Sequence, residues 1–167
     1  MTTFPGPGEP RSFVCCPGPV FVIGAPRSGT TALGRALGEH SALYAGDETL
    51  FLMDLFGNRR AEGVHERWAG RPSSSWLRRE NVSLDEFLAA LGAGLDALLT
   101  RNAGGRRWVD HTPTYATLAP TLGKMFPRAS FIHILRDGRE VVNSMINISR
   151  TLPGDVADQM KAKKFLP

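Results

Sequence analysis

The sequence predicts an α/β domain of three layers, a central parallel sheet flanked by helices. Two short apolar runs carry that expectation, VFVIG at 20–24 and SFIHIL at 130–135. Both are continuous and rich in β-branched or aromatic residues, which is the pattern of buried strands. Each leads into a stretch of helical periodicity, and strands alternating with helices form parallel sheets. The length, 167 residues, suits a single packed domain.

Taken in order, residues 1–19 are dense in Pro and Gly and are predicted to be a flexible leader; they lack the apolar stretch of a signal peptide. After the first strand, TTALGRAL spaces Ala32, Leu33, Ala36 and Leu37 as one helical face. ETLFLMDLF at 48–56 reads as a second helix. Residues 57–82 are polar, arginine-rich and interrupted by GRPSSS, and are expected to form a long loop or insertion. Ser83 followed by Glu86 has the spacing of a capping box, opening a helix striped by Leu84, Phe87, Leu88, Leu91, Leu95, Leu98 and Leu99. RRWVD at 106–110 suits a short strand, and Pro120 suits the first turn of a helix ending near Phe126. Asp137 with Glu140 caps the helix that follows the second apolar run. The domain thus spans 20–150 and leaves 151–167 as a tail.

Composition narrows the function. With 42% hydrophobic and 22% charged residues the chain is ordinary for a globular protein. Its net charge of +4 favours anionic ligands, but the basic residues are spread too evenly to indicate nucleic acid. Cys15 and Cys16 are neighbours, which rarely bridge each other, so a reducing, cytoplasmic setting is expected. The histidines at 40, 65, 111 and 133 are too scattered for a zinc site, and no apolar run reaches the length of a membrane span. Neither a metal nor a membrane partner is expected.

The chemistry begins in GAPRSGTT, residues 24–31. Gly24 and Gly29 have the spacing of a nucleotide-triphosphate loop and Thr31 takes the hydroxyl place, but Thr30 stands where the lysine belongs. A glycine-rich turn between strand and helix aims successive N–H groups, and the positive helix end, at one anion. Arg27 adds a fork of donors, with Ser28, Gly29, Thr30 and Thr31 around it.

This loop resembles the 5′-phosphosulfate loop of sulfotransferases that use 3′-phosphoadenosine 5′-phosphosulfate (PAPS). FIHILRDGREVVNSM is similar to that family's 3′-phosphate segment, a strand ending in Arg and a helix bearing Ser, here Arg136 and Ser144. YAGDETLF resembles the segment of tyrosylprotein sulfotransferases that carries the general base, which the likeness places at Glu48, with Asp47 as second choice. WVDHTPTY resembles a segment whose lysine stabilises the leaving phosphate; His111 holds that position here.

The resemblance implies a P-loop-like fold and sulfuryl transfer from PAPS to a hydroxyl, or an amine, of a small molecule, sugar or peptide, without a metal. It runs from Val20 to Arg150, short of the family's usual length, so the domain is expected to be incomplete. Two alternatives stand beside it: a P-loop kinase using Asp110 or Asp137 for magnesium, and a truncated nucleotide-binding module without turnover. The aromatics Trp68 and Trp76 are candidates to stack on an acceptor ring.

Overall fold

The computed structural model describes residues 14–71 and 75–151; the expectations for residues 1–13 and for the tail beyond 151 lie outside the described residues. Four strands form one parallel sheet: β1 (Val20–Gly24), β2 (Leu43–Ala45), β3 (Arg107–Asp110) and β4 (Ser130–Ile134), in the order β2-β3-β1-β4. Alternation along β1 splits its side chains between two faces. Val20 and Val22, with Val109, pack under Leu33 and Leu37 of α1 (Thr30–Gly38). Phe21 faces the other way, edge-on to Trp108 and against Phe126. That second layer holds α2 (Phe51–Phe56), α5 (Leu84–Asn102) and α6 (Ala119–Met125), which supply Leu52, Leu88 and Leu122 to the same core. Helices on both faces complete the three-layer α/β arrangement that the sequence predicts.

Several elements differ from expectation. Residues 57–82 are largely helical rather than a loop: a short 3-10 turn leads into α3 (Arg60–Ala69), and α4 (Trp76–Arg79) follows. The buried stripe of α3 is Ala61, Glu62 and His65, which has helical spacing but little apolarity. Thr121 donates to Glu62, and His65 bonds the carbonyl of Val82 while packing on Phe87. On α5 Ser83 caps the helix as its spacing predicts, its hydroxyl accepting from the Glu86 amide at 3.2 Å. Its deepest face, however, is Leu88, Gly92, Asp96 and Thr100, four residues apart, whereas Leu91 and Leu98 are exposed. Gly92 sits there because the backbone of Met125 occupies the space of a side chain.

The strand predicted to be buried at 130–135 is an edge strand, and Phe131, Ile132 and Leu135 are exposed. Its apolarity reflects the two faces of a parallel sheet, but among the described residues only β1 lies beside it. After it, α7 (Gly138–Thr151) starts on the Asp137 carboxylate, which accepts from the amides of Arg139 and Glu140.

The leader also departs from its expected flexibility where it is described. Cys16 is buried and its amide donates to Asp96 at 3.1 Å, while the Ser130 amide donates to the carbonyl of Pro19. Both cysteines are free thiols. Burial, and then the nearby Asp96 charge, push the Cys15 thiol above its ordinary pKa.

Asp96 therefore joins three segments, accepting from the Cys16 amide, from Thr100 at 3.2 Å and from the Trp108 indole at 2.7 Å. Replacing it with Ala leaves three donors without an acceptor, at about 1–3 kcal/mol for a buried donor. Asp96→Ala is expected to lower the free energy of urea unfolding by about 3 kcal/mol or more, and a loss below about 1 kcal/mol would show that the hub is dispensable.

Candidate active site

All four strands run the same way, so their carboxyl ends meet along one rim, where ligands bind in open α/β sheets. Gly24 of β1 lies in register with Ile134 of β4. The loop 25–29 and the turn 135–137 therefore leave the sheet side by side. Arg136 donates from Nη1 to the carbonyl of Arg27 at 3.0 Å, and Arg27 donates from Nε to the Ser144 hydroxyl at 3.2 Å. Residues 27, 136 and 144, distant in sequence, form one cluster.

Loop shape follows from its backbone. Arg27 has φ 68° and Gly29 has φ 109°, the latter a conformation that favours glycine. Gly29 is the N-cap of α1 and offers no side chain to cap it, so the first N–H groups of the helix stay available at the cleft. A cleft of about 540 Å³ is lined by Arg27, Gly29, Thr30, Thr31, Arg136 and Ser144, together with Glu48. Its remaining walls are mostly apolar, including Leu50, Pro113, Met145 and Ile148.

Six of the seven residues proposed for the donor thus share one cleft. Ser28 does not line it: its hydroxyl is buried and lacks a partner. Arg136 also pairs with Glu140 at 3.0 Å, so Glu140 turns towards this arginine rather than closing a reciprocal cap.

Glu48 leaves the end of β2 and reaches the cleft from the side opposite α7 in the chain order of the rim. Its Oε1 lies 3.5 Å from the Thr31 hydroxyl, which donates to it, and 3.7 Å from Nδ1 of His111. Asp47 is exposed and faces a separate pocket beside Tyr44, Thr49 and Leu99. His111 is absent from the cleft lining. It is buried beneath α1, where Gly34 leaves room for its ring, and its Nε2 bonds the carbonyl of Gly46 at 3.1 Å. Trp68 and Trp76 lie on α3 and α4 and do not line the cleft; the Arg71 guanidinium sits 4.1 Å from the Trp68 ring.

The support of Glu48 includes residues that sequence reasoning did not assign to it. Asp110, at the end of β3, accepts from both the amide and the hydroxyl of Thr49 and, through its other oxygen, from the Thr112 amide at 2.8 Å. The Tyr115 hydroxyl donates to the carbonyl of Thr49. Burial, then the Asp110 charge, push the Tyr115 pKa well up, so this hydroxyl remains a donor. The residue next to Glu48 is therefore held at its amide, side chain and carbonyl. The only sequence clue was the DHT run after an apolar strand; its partner lies 61 positions away.

With both its oxygens engaged, Asp110 is occupied structurally, and Asp137 caps α7. Neither is poised as a magnesium carboxylate. Among the described residues no cluster of His, Cys, Asp or Glu could hold a metal ion, and no helix is long and apolar enough to cross a membrane.

The sulfotransferase family matches residues 19–163. The chain belongs to that family. Protein-tyrosine sulfotransferase 1 of Homo sapiens is 30% identical over 138 residues, covering 81% of this chain and 35% of the human protein. A putative protein-tyrosine sulfotransferase of Caenorhabditis briggsae is 27% identical over 128 residues, 76% of this chain and 42% of that protein. The chain thus spans less than half the length of these relatives. Among solved structures, the sulfotransferase domain from the curacin biosynthetic pathway aligns at TM-score 0.49 and 22% identity, over 80% of this chain and 52% of that one.

Thr49 gives a direct test of the support network. Thr49→Val keeps the shape but removes the hydroxyl between Asp110 and Tyr115. It should cost about 1–2 kcal/mol of folding stability in urea titrations. Stability within about 0.3 kcal/mol of wild type would mean that water replaces the hydroxyl freely.

Proposed function

We propose that this sulfotransferase-family chain binds PAPS along the rim and directs its sulfuryl group to an acceptor hydroxyl. The observation that carries this reading is the convergence of Arg27, Arg136 and Ser144 beside the open N-terminus of α1. One phosphate needs one such anion site, whereas a donor phosphorylated at two ends needs two adjoining ones. The 5′-phosphosulfate belongs with the Gly29–Thr31 turn and Arg27, and the 3′-phosphate with Arg136 and Ser144. Guanidinium forks suit phosphate oxygens, and a hydroxyl adds a directed donor.

Glu48 is the general base of this reading. Its carboxylate borders the same cleft, half-shielded, with Thr31 between it and the phosphate turn. It takes the acceptor proton as the acceptor oxygen bonds to sulfur and the bond from sulfur to the bridging oxygen breaks. The negative charge collecting on that oxygen faces Arg27 and the helix N–H groups, which stabilise it without a metal. The arginines supply here the positive charge that magnesium supplies in phosphoryl transfer.

For the acceptor, a hydroxyl on an aromatic ring fits best. The cleft that Glu48 borders is otherwise lined mostly by apolar residues, Leu50, Pro113 and Ile148 among them, which favour an apolar ring over a sugar. The named relatives are protein-tyrosine sulfotransferases, so a tyrosine-containing peptide is the acceptor to try first. The kinase alternative lacks the loop lysine, and its two candidate carboxylates are engaged, Asp110 with Thr49 and Thr112 and Asp137 with the first amides of α7.

Calorimetry with 3′,5′-bisphosphoadenosine tests the donor site. Arg136→Ala should weaken binding about tenfold to a hundredfold, the worth of a charge-assisted hydrogen bond at about 1.5–3 kcal/mol. Equal affinity in wild type and variant would falsify the assignment, as would protection by magnesium-ATP in preference to the bisphosphate. Sulfate transfer from PAPS to a tyrosine peptide tests the base. Glu48→Gln should slow it about 10²–10⁴-fold and leave bisphosphate affinity intact. Bisphosphate binding without transfer in the wild type would identify a binding module instead.

A further inference from the structure

Resting on the reading of Glu48 as base, we infer that His111 is a proton-accepting positioning residue behind it. It receives the acceptor's proton from Glu48 and does not touch the donor's leaving phosphate. The ring is 5% exposed and lies outside the cleft. Its Nε2 faces a carbonyl, that of Gly46, which can only accept, so Nε2 carries hydrogen. In the neutral ring Nδ1 then presents a lone pair. That nitrogen is sealed from solvent, has no hydrogen-bond partner, and lies 3.7 Å from Oε1 of Glu48.

Two acceptors, a carboxylate oxygen and an imidazole lone pair, thus confront each other just beyond hydrogen-bond reach. A single proton between them converts this confrontation into a hydrogen bond. The pair gains an interaction when Glu48 becomes protonated, which is what a general base needs as the reaction proceeds. The proton balance is direct. The acceptor O–H breaks as its oxygen attacks sulfur, and the proton passes to a Glu48 oxygen. The glutamic acid then donates through Oε1 to Nδ1, and transfer along that bond leaves imidazolium beside a restored carboxylate. The proton returns to solvent through the cleft-facing Glu48 after the products leave.

The surroundings favour this role over a purely packed histidine. From α1, Gly34 lies against the ring; a Cβ there would overlap it. From β3, Asp110 is the neighbouring charge, and its oxygens are committed to Thr49 and Thr112. From the turn after β3, the Tyr115 hydroxyl is committed to Thr49. Glu48 is the carboxylate that approaches Nδ1, at 3.7 Å, while Arg27 and Arg136 share the cleft with Glu48.

The test uses PAPS with a tyrosine peptide and the variants His111→Asn and His111→Gln. Asn can place an oxygen acceptor near the Nδ1 position but cannot take the proton, so it should keep part of the rate. Gln, without an acceptor there, should lose about tenfold or more in kcat, with bisphosphate affinity unchanged in both. Wild type should show a curved, two-proton dependence on deuterium fraction, and His111→Asn a linear one. In a Glu48→Gln background, His111→Gln should add no further loss. An unaltered kcat in His111→Gln, a linear dependence in wild type, or weakened bisphosphate binding would each overturn the proposal; the last would place His111 on the donor. Full activity in Glu48→Gln would instead remove the base itself. One measurement needs no turnover: the ¹⁵N resonance of Nδ1 should move in Glu48→Gln, and an unmoved resonance refutes the pairing.

Discussion

The site depends on the parallel pairing of β1 with β4 in one register. Because Gly24 stands opposite Ile134, the two segments that follow emerge at the same height, and Arg136 reaches the carbonyl of Arg27. A slip of one residue would reverse the faces of β4 and carry Arg136 off the cluster. The register is held by Phe131 stacked on Phe21 at 5.3 Å, and by the Ser130 amide on the carbonyl of Pro19. Two guanidinium groups brought together in this way repel each other, and Glu140 offsets only part of that charge. The rest makes the rim attractive to a multiply charged anion, consistent with the chain's excess of basic residues.

The other half of the rim is organised around carboxylates rather than cations. β3 ends in Asp110, and its two oxygens hold Thr49 and Thr112. Burial makes these hydrogen bonds strong and their absence costly. Glu48 is carried by a segment fixed on one side through Thr49 and on the other through Gly46, whose carbonyl binds His111. Gly34 of α1 belongs to the same arrangement, since any larger residue would displace the ring. Helix α1 thereby serves both halves, its first turn at the anion site and its second against the histidine.

Much of this could be read in advance, and the reasons for the misses are physical. The β1–loop–α1 unit was legible because glycine placement and a change of hydrophobic period fall within twelve residues. Arg136 and Ser144 were legible by their likeness to a known segment, and the Ser83 cap by its spacing. α3 escaped because its buried face is Ala61, Glu62 and His65, which reads as polar until Thr121 and Val82 are seen to satisfy it. β2 is three residues long, too short to show a period, and exists because β3 lies beside it. Most of the Leu stripe of α5 does pack on the core, but the close approach of α6 selects Gly92, which a stripe of leucines does not reveal. Asp110 gave no local sign of its partner, because Thr49 lies 61 residues earlier and only the sheet brings them together.

The two halves of the rim differ in burial, which on the proposed reading would separate binding from turnover. Arg136 is 40% exposed at its side chain and anchored by one partner on each side, so its grip on an anion is open to screening by salt. Asp110, Thr112 and His111 are each 5% exposed or less, where solvent ions do not enter. On the proposed reading, salt should therefore act on donor affinity through the arginines and leave the buried Asp110–Thr112–His111 support little changed. Changes in the buried network should act in the opposite way, on the position of one carboxylate. Arg27, whose side chain reaches Ser144 while its carbonyl accepts from Arg136, is where an anion bound on one side would be felt by the loop that faces Glu48 through Thr31.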